Sequence, residues 1–421
     1  MNILYLHQYF TTPEMVGGTR SYELARRLTE FGHRVTMLTC DQQGLLAGSG
    51  WRQSLESGIE VHWAPVKYDA RMSYRSRIRS FLDFGLRALR YAPRFTSDVV
   101  FGTSTPLTIA VPAVYAARRL GIPMVFEVRD LWPAVPIALG ALPNPILRSA
   151  AEWLERFAYR NAQQIVALAP GMKEHVVGKG YPAGRVTVIP NGADVDMFSA
   201  ARGSGRSLRA TYPWLQHRPM LLYCGAIGRV NAISRLAHIA AAAEKLDPQI
   251  RFVVLGKGPE EELVRRTAAD LQVLDKNFFM LGTVPKREVP TWLDAADLAV
   301  ALFSGPEILW KNATQNKFFD ALAAGRPILS NFRGWQSTLV EEAGAGGVFD
   351  ADDAERGARQ LVALMHNREW LERAGRAARH LAVTHFDHAE HARILESVLL
   401  KAVDQFKPSN GASMLRDTVE H

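Results

Sequence analysis

The sequence predicts an α/β protein with two doubly wound, mainly parallel sheets. Short apolar runs alternate with helix-length amphipathic segments up to residue 190, and the alternation starts again at residue 220. Between the two series, the segment AARGSGRSLRATYPWLQHRP is rich in glycine, serine and arginine, which indicates a linker. Helical patterns dominate after residue 349. The fold class follows from these three observations.

We therefore expect five parts along the 421 residues. They are an N-terminal domain over residues 1–203, a linker over 204–217, a C-terminal domain over 218–384, a C-terminal helix over 385–407 that returns towards the first domain, and a disordered tail over 408–421. Open α/β sheets bind ligands at the carboxyl ends of their strands. Two such domains predict a ligand-binding cleft between them.

The composition, 48% hydrophobic and 22% charged, is typical of a soluble globular protein. No apolar run reaches the roughly 20 residues of a membrane span, and the start, MNILYLHQYF, resembles a first strand more than a signal peptide. Cys40 and Cys224 both follow apolar runs, so we expect buried thiols of a cytosolic protein and no disulfide. The net charge of +8 is compatible with nucleic acid, an acidic membrane or anionic substrates.

The first βαβ unit carries a glycine pair at a position where ligands bind. Strands are predicted over residues 2–6 and 34–39, with a helix over 19–31 between them, and Gly17 and Gly18 lie in the loop before this helix. Glycine permits a close approach of backbone to phosphate or sugar. The spacing does not match the GxGxxG dinucleotide fingerprint, and a tight turn without a ligand is the alternative.

Three ionisable residues follow the strand predicted over residues 123–128. Glu127, Arg129 and Asp130 lie in the run FEVRDLWP at the carboxyl end of this strand. Charges are seldom buried without partners. Either an internal Arg–carboxylate pair or a catalytic site on the acceptor side explains them.

The other elements complete the two alternating series. Further strands are predicted over 97–101, 164–169, 186–190, 220–224, 251–255, 277–281, 298–302 and 327–329. Further helices are predicted over 109–120, 150–161, 171–178, 232–246, 260–271, 289–296 and 315–324.

The segment NATQNKFFDALAAGRPILSNFRG, from residue 312, predicts an anion site. It consists of a loop, the helix over 315–324 and a buried strand. The first turn of a helix offers free N–H groups and a positive dipole end. Lys317 lies in this turn, where a cation opposes the dipole unless an anion is nearby, and Asp320 follows one turn later. An ordinary helix–turn–strand is the alternative.

The arginine-rich segment 71–94 predicts a basic amphipathic helix. It contains seven arginines and one acid, with apolar residues at 78, 81, 82, 86 and 89 on one helical stripe. Such a helix suggests a membrane surface or a lipid-borne anion. The alternative is a stripe that packs in the core while the arginines are solvated. The candidate membrane or acceptor contacts are Arg75, Arg77, Arg79, Arg87 and Arg90.

With these motifs described, the chain resembles the retaining GT-B glycosyltransferases of the family 4 type from residue 1 to about 406. The matching runs are GGTRSYELARRLTEFGHRVTMLT, PNGADVDMF, GAIGRV and DALAAGRPIL, the last resembling the family's EAxAxGxPV motif. TSTPLT, FEVRDLWP and NKFFDALAAGRPIL resemble most the bacterial O-antigen and exopolysaccharide enzymes of the N-acetylfucosaminyltransferase type. The resemblance implies a GT-B fold, with two Rossmann-like domains facing a cleft.

The resemblance also implies roles for individual residues. Arg229, in GAIGRV, would bind the donor diphosphate, with Lys317 at the helix N-terminus. Asp320 stands at the family's second glutamate and would hold the ribose hydroxyls. The other donor-binding candidates are Gly17 and Gly18 behind the sugar and phosphate, Val284 beside the base, Thr314 and Asn316 at the diphosphate, and Glu307.

The chain departs from the family pattern at three places. The first family glutamate falls on Asn312, and Glu307 is the candidate substitute. The lysine that commonly follows the arginine of GAIGRV is missing, so Lys317 would supply that cation. Arg129 replaces a histidine on the acceptor side. There Asp130 or Glu127 would position the acceptor hydroxyl, or Arg129 would bind an acceptor phosphate. The catalytic candidates are therefore Asp130, Arg129, Glu127 and Arg229.

The function implied is retaining transfer of an N-acetylated hexose or deoxyhexose from a UDP-linked donor to a lipid-linked saccharide, in surface polysaccharide or O-antigen synthesis. We expect no metal and no cofactor beyond the nucleotide sugar. We expect a cytoplasmic protein that is peripheral to the inner face of the cytoplasmic membrane and binds no nucleic acid. The alternatives are a nucleotide-sugar epimerase, and a non-catalytic partner that binds nucleotide sugars.

Overall fold

The computed structural model describes residues 1–42, 44, 50–68, 72 and 74–407, without the side chain of residue 74. Arg71 and the predicted tail 408–421 therefore lie outside the described residues. The chain forms two compact units. Unit 1 contains Met1–Thr12, Ser21–Pro190 and the chain from Ala389 onwards, and unit 2 contains Pro13–Arg20 and Asn191–His388.

Unit 1 contains one eight-stranded sheet in the order β3-β4-β2-β1-β5-β6-β7-β8. Its strands are β1 Asn2–Leu6, β2 Arg34–Cys40, β3 Arg52–Glu56, β4 Ile59–Ala64, β5 Val99–Thr103, β6 Met124–Val128, β7 Gln164–Ala167 and β8 Val186–Val188. Its helices are α1 Arg20–Glu30, α2 Tyr74–Tyr91, α3 Ala110–Leu120, α4 Ala134–Ala138, α5 Pro145–Asn161 and α6 Pro170–Gly178.

Every pairing in this sheet is parallel except that of the edge hairpin β3–β4. The central strands are mainly apolar and almost wholly buried, as expected for a sheet that is covered on both faces. From β1 the chain first adds β2 on one side and later β5 on the other. The strand order therefore reverses between β1 and β5, where doubly wound sheets bind their ligands.

Unit 2 contains a six-stranded parallel sheet in the order β11-β10-β9-β12-β13-β14. Its elements are α7 Val195–Ala200, α8 Ser204–Thr211, β9 Met220–Cys224, α9 Ser234–Glu244, β10 Arg251–Leu255, α10 Glu261–Asp270, β11 Phe278–Gly282, α11 Val289–Ala295, β12 Leu298–Ala301, α12 Glu307–Lys311, α13 Asn316–Ala323, β13 Ile328–Ser330, α14 Trp335–Ala343, β14 Gly346–Val348, α15 Ala354–His366 and α16 Arg368–His385. The order of this sheet reverses between β9 and β12.

A final helix, α17 His388–Asp404, lies in unit 1 from Ala389 onwards. Gln405, which follows this helix, accepts a hydrogen bond from Gln164 at the start of β7. Glu396 on the helix pairs with His33 just before β2. Short contacts with the strand ends of unit 1 thus hold the C-terminal helix in place.

The segment 204–217, expected as a linker, differs in the structure. It begins with α8, and the division between the units falls earlier, between Pro190 and Asn191. Arg209 on α8 donates to the Ala295 carbonyl and pairs with Asp297. A Cβ at Gly205 would lie 2.4 Å from the Ala295 nitrogen, so glycine permits the contact between α8 and α11. The glycine and arginine that indicated a linker are packing residues of unit 2.

Both cysteines are free thiols, with Cys40 buried and Cys224 partly exposed. In the part of the chain that the structure describes, no helix combines the length and apolar character needed to cross a bilayer.

Candidate functional site

A cavity of about 470 Å³ lies at the carboxyl edge of the second sheet. Its walls are the loops after β9, β10, β11 and β12, the start of α13, and the glycine loop Pro13–Arg20, all within unit 2. This edge contains the reversal point between β9 and β12, where the topology predicts a ligand. The volume is in the usual range for small-molecule sites.

Glycines let two loops of this cavity touch backbone to backbone. A Cβ at Gly256, after β10, would lie 1.8 Å from the carbonyl oxygen of Gly225, after β9. A Cβ at Gly258 would lie 2.1 Å from the Ile227 oxygen. The Gly-Lys-Gly run after β10 is therefore a packing device that shapes the cavity wall.

Lys317 lies in the first turn of α13, as the sequence predicts, and lines the cavity. Its Nζ donates to the Tyr223 hydroxyl at 2.7 Å and lies 4.1 Å from the centre of that ring. Burial lowers the pKa of Lys317 to about 7. Part of the side chain remains exposed. The Lys317 ammonium contacts a neutral tyrosine, so an anionic ligand at the start of the helix would be a stronger partner.

Asp320, one turn further along α13, is buried and pairs with Lys286. The Lys286 Nζ donates to Asp320 Oδ1 at 2.5 Å, and both side chains line the cavity. Burial raises the pKa of Asp320, and the Lys286 ammonium opposes this increase. One carboxylate oxygen is thus held by the lysine, and the other can accept from a ligand hydroxyl.

The glycine loop is held against unit 2 by backbone hydrogen bonds. The amide of Lys286 donates to the Met15 carbonyl at 3.1 Å. Gly17 has a φ of 142°, which side-chain-bearing residues rarely adopt. A Cβ at Gly18 would lie 2.3 Å from Asn316 Nδ2, so glycine permits the loop to approach α13. Gly17, Gly18 and Asn316 all line the cavity, together with Val284.

Three predicted donor-binding residues do not line this cavity. Arg229 is exposed in the loop after β9. Glu307 is exposed and pairs with Lys311 one turn along α12. The carbonyl of Thr314 accepts from Asn191 at 2.6 Å. Their roles in donor binding remain predictions.

The predicted acceptor-side residues lie at the carboxyl edge of the first sheet. Glu127 is fully buried and accepts from the Thr103 hydroxyl at 2.5 Å. Asp130 is exposed and accepts from the Thr105 hydroxyl at 3.0 Å. Desolvation raises the pKa of Asp130, and the Thr105 hydrogen bond and the Arg129 charge oppose this increase.

Arg129 does not form the internal pair with a carboxylate that was one of the two alternatives from the sequence. Its Nη1 donates instead to Nε2 of His7, 3.0 Å away, and its backbone amide donates to the Ser104 hydroxyl. His7 follows β1 directly and is 3% exposed. Burial and the nearby Arg129 lower the pKa of His7 well below its usual value, so the imidazole is neutral.

Helix α2 exposes the apolar stripe that was a candidate for the core. Ile78, Leu82 and Leu86 are 37%, 55% and 54% exposed, whereas Phe84 and Ala88 are buried on the opposite face. At 3.6 residues per turn, the exposed arginines 75, 79 and 90 lie on the same side as the stripe. Arg77 donates to the Met72 carbonyl and Arg87 pairs with Asp83. The core alternative for residues 78, 82 and 86 is therefore wrong.

Sequence reasoning missed three residues of these two sites: Lys286, Tyr223 and His7. Lys286 lies in a short 3₁₀ turn, where a lysine is normally solvated, and Tyr223 reads as one more apolar residue of β9. His7 gave a weak signal, because a histidine directly after a buried first strand falls at the ligand-binding edge.

A larger cavity of about 1020 Å³ lies in unit 2, near residues that precede β9 and β13. Several of its charged groups have protein partners, such as Arg326 with Asp294. Ligands of these sheets bind at the carboxyl edge of the strands. The smaller cavity lies at this edge and the larger one does not, so the smaller cavity is the candidate site.

The fold matches solved GT-B structures over almost the whole chain. Sucrose-phosphate synthase from Thermosynechococcus elongatus superimposes with a TM-score of 0.73 at 14% identity, covering 96% of this chain and 100% of that one. Anabaena HepE, solved in complex with UDP and glucose, superimposes with a TM-score of 0.69 at 16% identity. The superposition covers 95% of this chain and 100% of HepE. The predicted GT-B fold is confirmed.

Two family models match most of the sequence. A glycosyl transferase 4-like domain matches residues 17–192, and a glycosyl transferases group 1 domain matches residues 218–367. The chain belongs to the GT-B glycosyltransferases. The chain is also similar to the GDP-mannose-dependent alpha-mannosyltransferase of Mycobacterium tuberculosis, with 24% identity over 369 residues. This alignment covers 86% of this glycosyltransferase and 88% of that relative.

Both cavity-forming motifs of this glycosyltransferase fall in the matched regions. The glycine pair Gly17-Gly18 opens the first region, and α13 lies in the second. The two family matches confirm the prediction of a glycosyltransferase.

Proposed function

We propose that this glycosyltransferase transfers an N-acetylated hexose or deoxyhexose from a UDP-linked donor to a lipid-linked saccharide, with retention of the anomeric configuration. The reaction belongs to surface polysaccharide synthesis of the O-antigen type. The N-acetylfucosaminyltransferase-like subtype is supported by the runs TSTPLT, FEVRDLWP and NKFFDALAAGRPIL.

The arrangement of Lys317 and Asp320 on α13 carries the proposal. The helix begins at the cavity, so its free N–H groups and Lys317 favour the donor diphosphate there. Asp320 lies one turn deeper and accepts from the ribose hydroxyls. The neighbouring apolar wall, which includes Leu255, Val284 and Phe303, suits the flat face of a base.

Protein cations stabilise the leaving group in this proposal. As the bond between the anomeric carbon and the phosphate oxygen breaks, charge develops on the diphosphate, and Lys317, Arg229 and the start of α13 oppose it. Among the described residues no group of three or more metal-ligating side chains occurs. The expectation of a metal-independent reaction is tested by measuring transfer with a chelator.

Retention follows if the departing phosphate acts as the base. The acceptor hydroxyl gives its proton to the leaving phosphate oxygen, and its own oxygen bonds to the anomeric carbon on the face that the phosphate leaves. The products are the lengthened saccharide and UDP. No protein nucleophile is required, and Asp130 and Glu127 are proposed to position the acceptor hydroxyl.

Two observations bear on the base of the donor. HepE of similar fold was solved with UDP, whereas the mycobacterial relative is named as GDP-mannose-dependent. The cavity wall that would face the base contains Leu255, Val284 and Phe303, and we propose that it takes uracil, the smaller base, and hence UDP.

We propose that α2 brings the enzyme to the inner face of the cytoplasmic membrane. The exposed stripe Ile78, Leu82 and Leu86 would enter the interface, and the flanking arginines would contact anionic headgroups. The neighbouring helices α3 and α5 expose Tyr115 and Trp153, residue types that favour this depth. The acceptor lipid lies in the same surface.

The test is transfer from a panel of UDP- and GDP-linked sugars to bacterial lipid extract. The proposal expects UDP release and a lengthened lipid saccharide that keeps the anomeric configuration of the donor sugar. Both products should depend on the extract. Conversion of the donor to an isomeric nucleotide sugar without any acceptor would indicate the epimerase. Donor binding without turnover on any sugar would indicate the non-catalytic partner.

A further inference from the structure

Two motifs that are distant in sequence meet at the reversal point of the first sheet. His7 of the run HQYF follows β1, and Arg129 of the run FEVRDLWP follows β6. Between them β5 ends at Thr103, and the Ser104 hydroxyl accepts from the Arg129 amide. The contact between His7 and Arg129 thus lies where doubly wound sheets bind their ligands.

Arg129 is a half-buried cation whose side chain contacts no carboxylate. Among the described residues no carboxylate oxygen lies within 4.0 Å of its guanidinium. The neighbouring acids are engaged elsewhere, Glu127 by Thr103 and Asp130 by Thr105. A guanidinium has five N–H donors, and His7 accepts from only one nitrogen. A cation in this position favours an anionic ligand that can accept two bonds.

His7 makes the arrangement specific. Arginine can only donate, so Nε2 of His7 must be the acceptor and Nδ1 must carry the proton. Nδ1 is buried and has no partner among the described residues. The pair therefore offers a guanidinium that His7 orients, beside a buried imidazole N–H that has no partner among the described residues. A protonated imidazole would repel the Arg129 guanidinium. The lowered pKa keeps His7 neutral, and a neutral His7 can accept the hydrogen bond from Arg129.

We propose that Arg129 binds a phosphate group of the acceptor lipid, and that His7 is the positioning residue that aims its guanidinium. This inference rests on the proposed function, because it names the acceptor as a phosphate or diphosphate ester and not a neutral glycolipid. Bidentate contact between guanidinium and phosphate would fix the lipid end of the acceptor.

Binding of geranyl diphosphate, a short isoprenoid diphosphate, tests the proposal by calorimetry without vesicles. Saturating UDP first occupies the donor cavity, so that the probe reports the acceptor site. We expect Arg129→Gln to weaken binding about 10- to 100-fold, the usual effect of losing a charged hydrogen bond. Arg119→Gln, the same change at an exposed residue of α3, is the matched control and should bind as the wild type does.

The role of His7 is tested by a pair of variants. His7→Leu removes the acceptor for Arg129, and we expect an increase of about 5- to 10-fold in the KM for the acceptor. His7→Asn keeps an acceptor oxygen and should restore most of the affinity. In both variants the KM for the acceptor should change more than the KM for the donor, whereas a general loss of structure would raise both.

Equal binding of geranyl diphosphate to Arg129→Gln and wild type would overturn the proposal, as would equal binding of geraniol and geranyl diphosphate. A rise in donor KM together with acceptor KM in His7→Leu would show a merely structural histidine. Hydrolysis of the donor without acceptor tests the proposed function separately. If hydrolysis is absent while geranyl diphosphate still requires Arg129, the donor assignment fails and the phosphate site stands.

Discussion

At the scale of single residues, Lys317 predicts how nucleotide binding depends on pH. Burial lowers its pKa to about 7 without ligand, and a bound diphosphate would raise it again, so binding takes up a proton above pH 7. We expect the affinity for UDP to fall as the pH rises from 7 to 9, by up to about tenfold per unit. The free phosphate is already doubly ionised in this range.

The control for this prediction is Lys317→Arg, whose guanidinium stays charged throughout. Titration calorimetry at several pH values, in buffers of different ionisation enthalpy, measures both affinity and proton uptake. A flat profile for the wild type would mean that Lys317 stays charged in the empty cavity or does not contact the diphosphate.

The buried pair Lys286–Asp320 predicts an uneven response to mutation. Lys286→Met leaves a buried carboxylate without its partner, and removing one member of such a pair costs about 3–5 kcal/mol. The double variant Lys286→Met with Asp320→Leu should recover most of this stability, because neither charge remains. Denaturant unfolding of the four members of this cycle measures the coupling. Equal stability of Lys286→Met and wild type would show that solvent already screens the pair.

The sequence predicts part of the candidate site at this scale. Lys317 and Asp320 were predictable because a helix start and its next turn form a local pattern. Lys286 and His7 were not predictable, because each acquires its role from a partner on a distant strand or helix. The sequence indicated that Arg129 needs a partner and offered a carboxylate as one candidate. In the structure its side chain donates to the neutral imidazole of His7 instead.

At the scale of elements, we predict that the two faces of α2 have different roles. The exposed face supports membrane binding, and the buried face supports the stability of the fold. Replacing Leu82 and Leu86 with serine removes two exposed side chains, so we expect at least tenfold weaker binding to anionic vesicles and little change in unfolding. The matched control Phe84→Ala, on the buried face of the same helix, should cost about 3–5 kcal/mol of stability. Vesicle sedimentation and thermal unfolding measure the two effects. Unchanged vesicle binding in the double serine variant would contradict the membrane role of α2.

The surroundings of individual glycines predict which positions tolerate a side chain. Gly256→Ala would force a methyl group into the Gly225 carbonyl, so we expect a clear loss of stability and of nucleotide affinity. Gly178→Ala, at the end of α6 with open space around it, should be neutral or slightly stabilising. Thermal unfolding with and without UDP compares the two variants. A Gly256→Ala protein as stable as wild type would show that these loops move apart freely.

The elements also show where local patterns mislead. Helix α8 was expected as part of a linker, because its composition is that of a flexible segment. Its order depends on Arg209 and Gly205, whose partners lie about 90 residues later in the chain. The basic stripe of α2 was correctly predicted as a helix, but only the structure shows which face the core leaves exposed.

At the scale of the whole molecule, the two sheets follow one rule. Each reverses its strand order once, between β1 and β5 and between β9 and β12, and each candidate site lies at its own reversal point. Alternating apolar runs were sufficient to predict most strands of both sheets, because parallel strands buried on both faces leave a strong signal. The edge hairpin β3–β4 and the short edge strand β14 were not predicted. The reversal points depend on strand order, which the alternation does not encode.

The central claim is that the cavity of unit 2 binds the UDP part of the donor through α13. Its most direct test is calorimetric titration of UDP and GDP into the wild type, Asp320→Ala and Arg229→Ala. We predict that UDP binds more tightly than GDP, and that both substitutions weaken it about tenfold or more. Absence of nucleotide binding by the wild type, or UDP affinity unchanged in Asp320→Ala, would contradict the account.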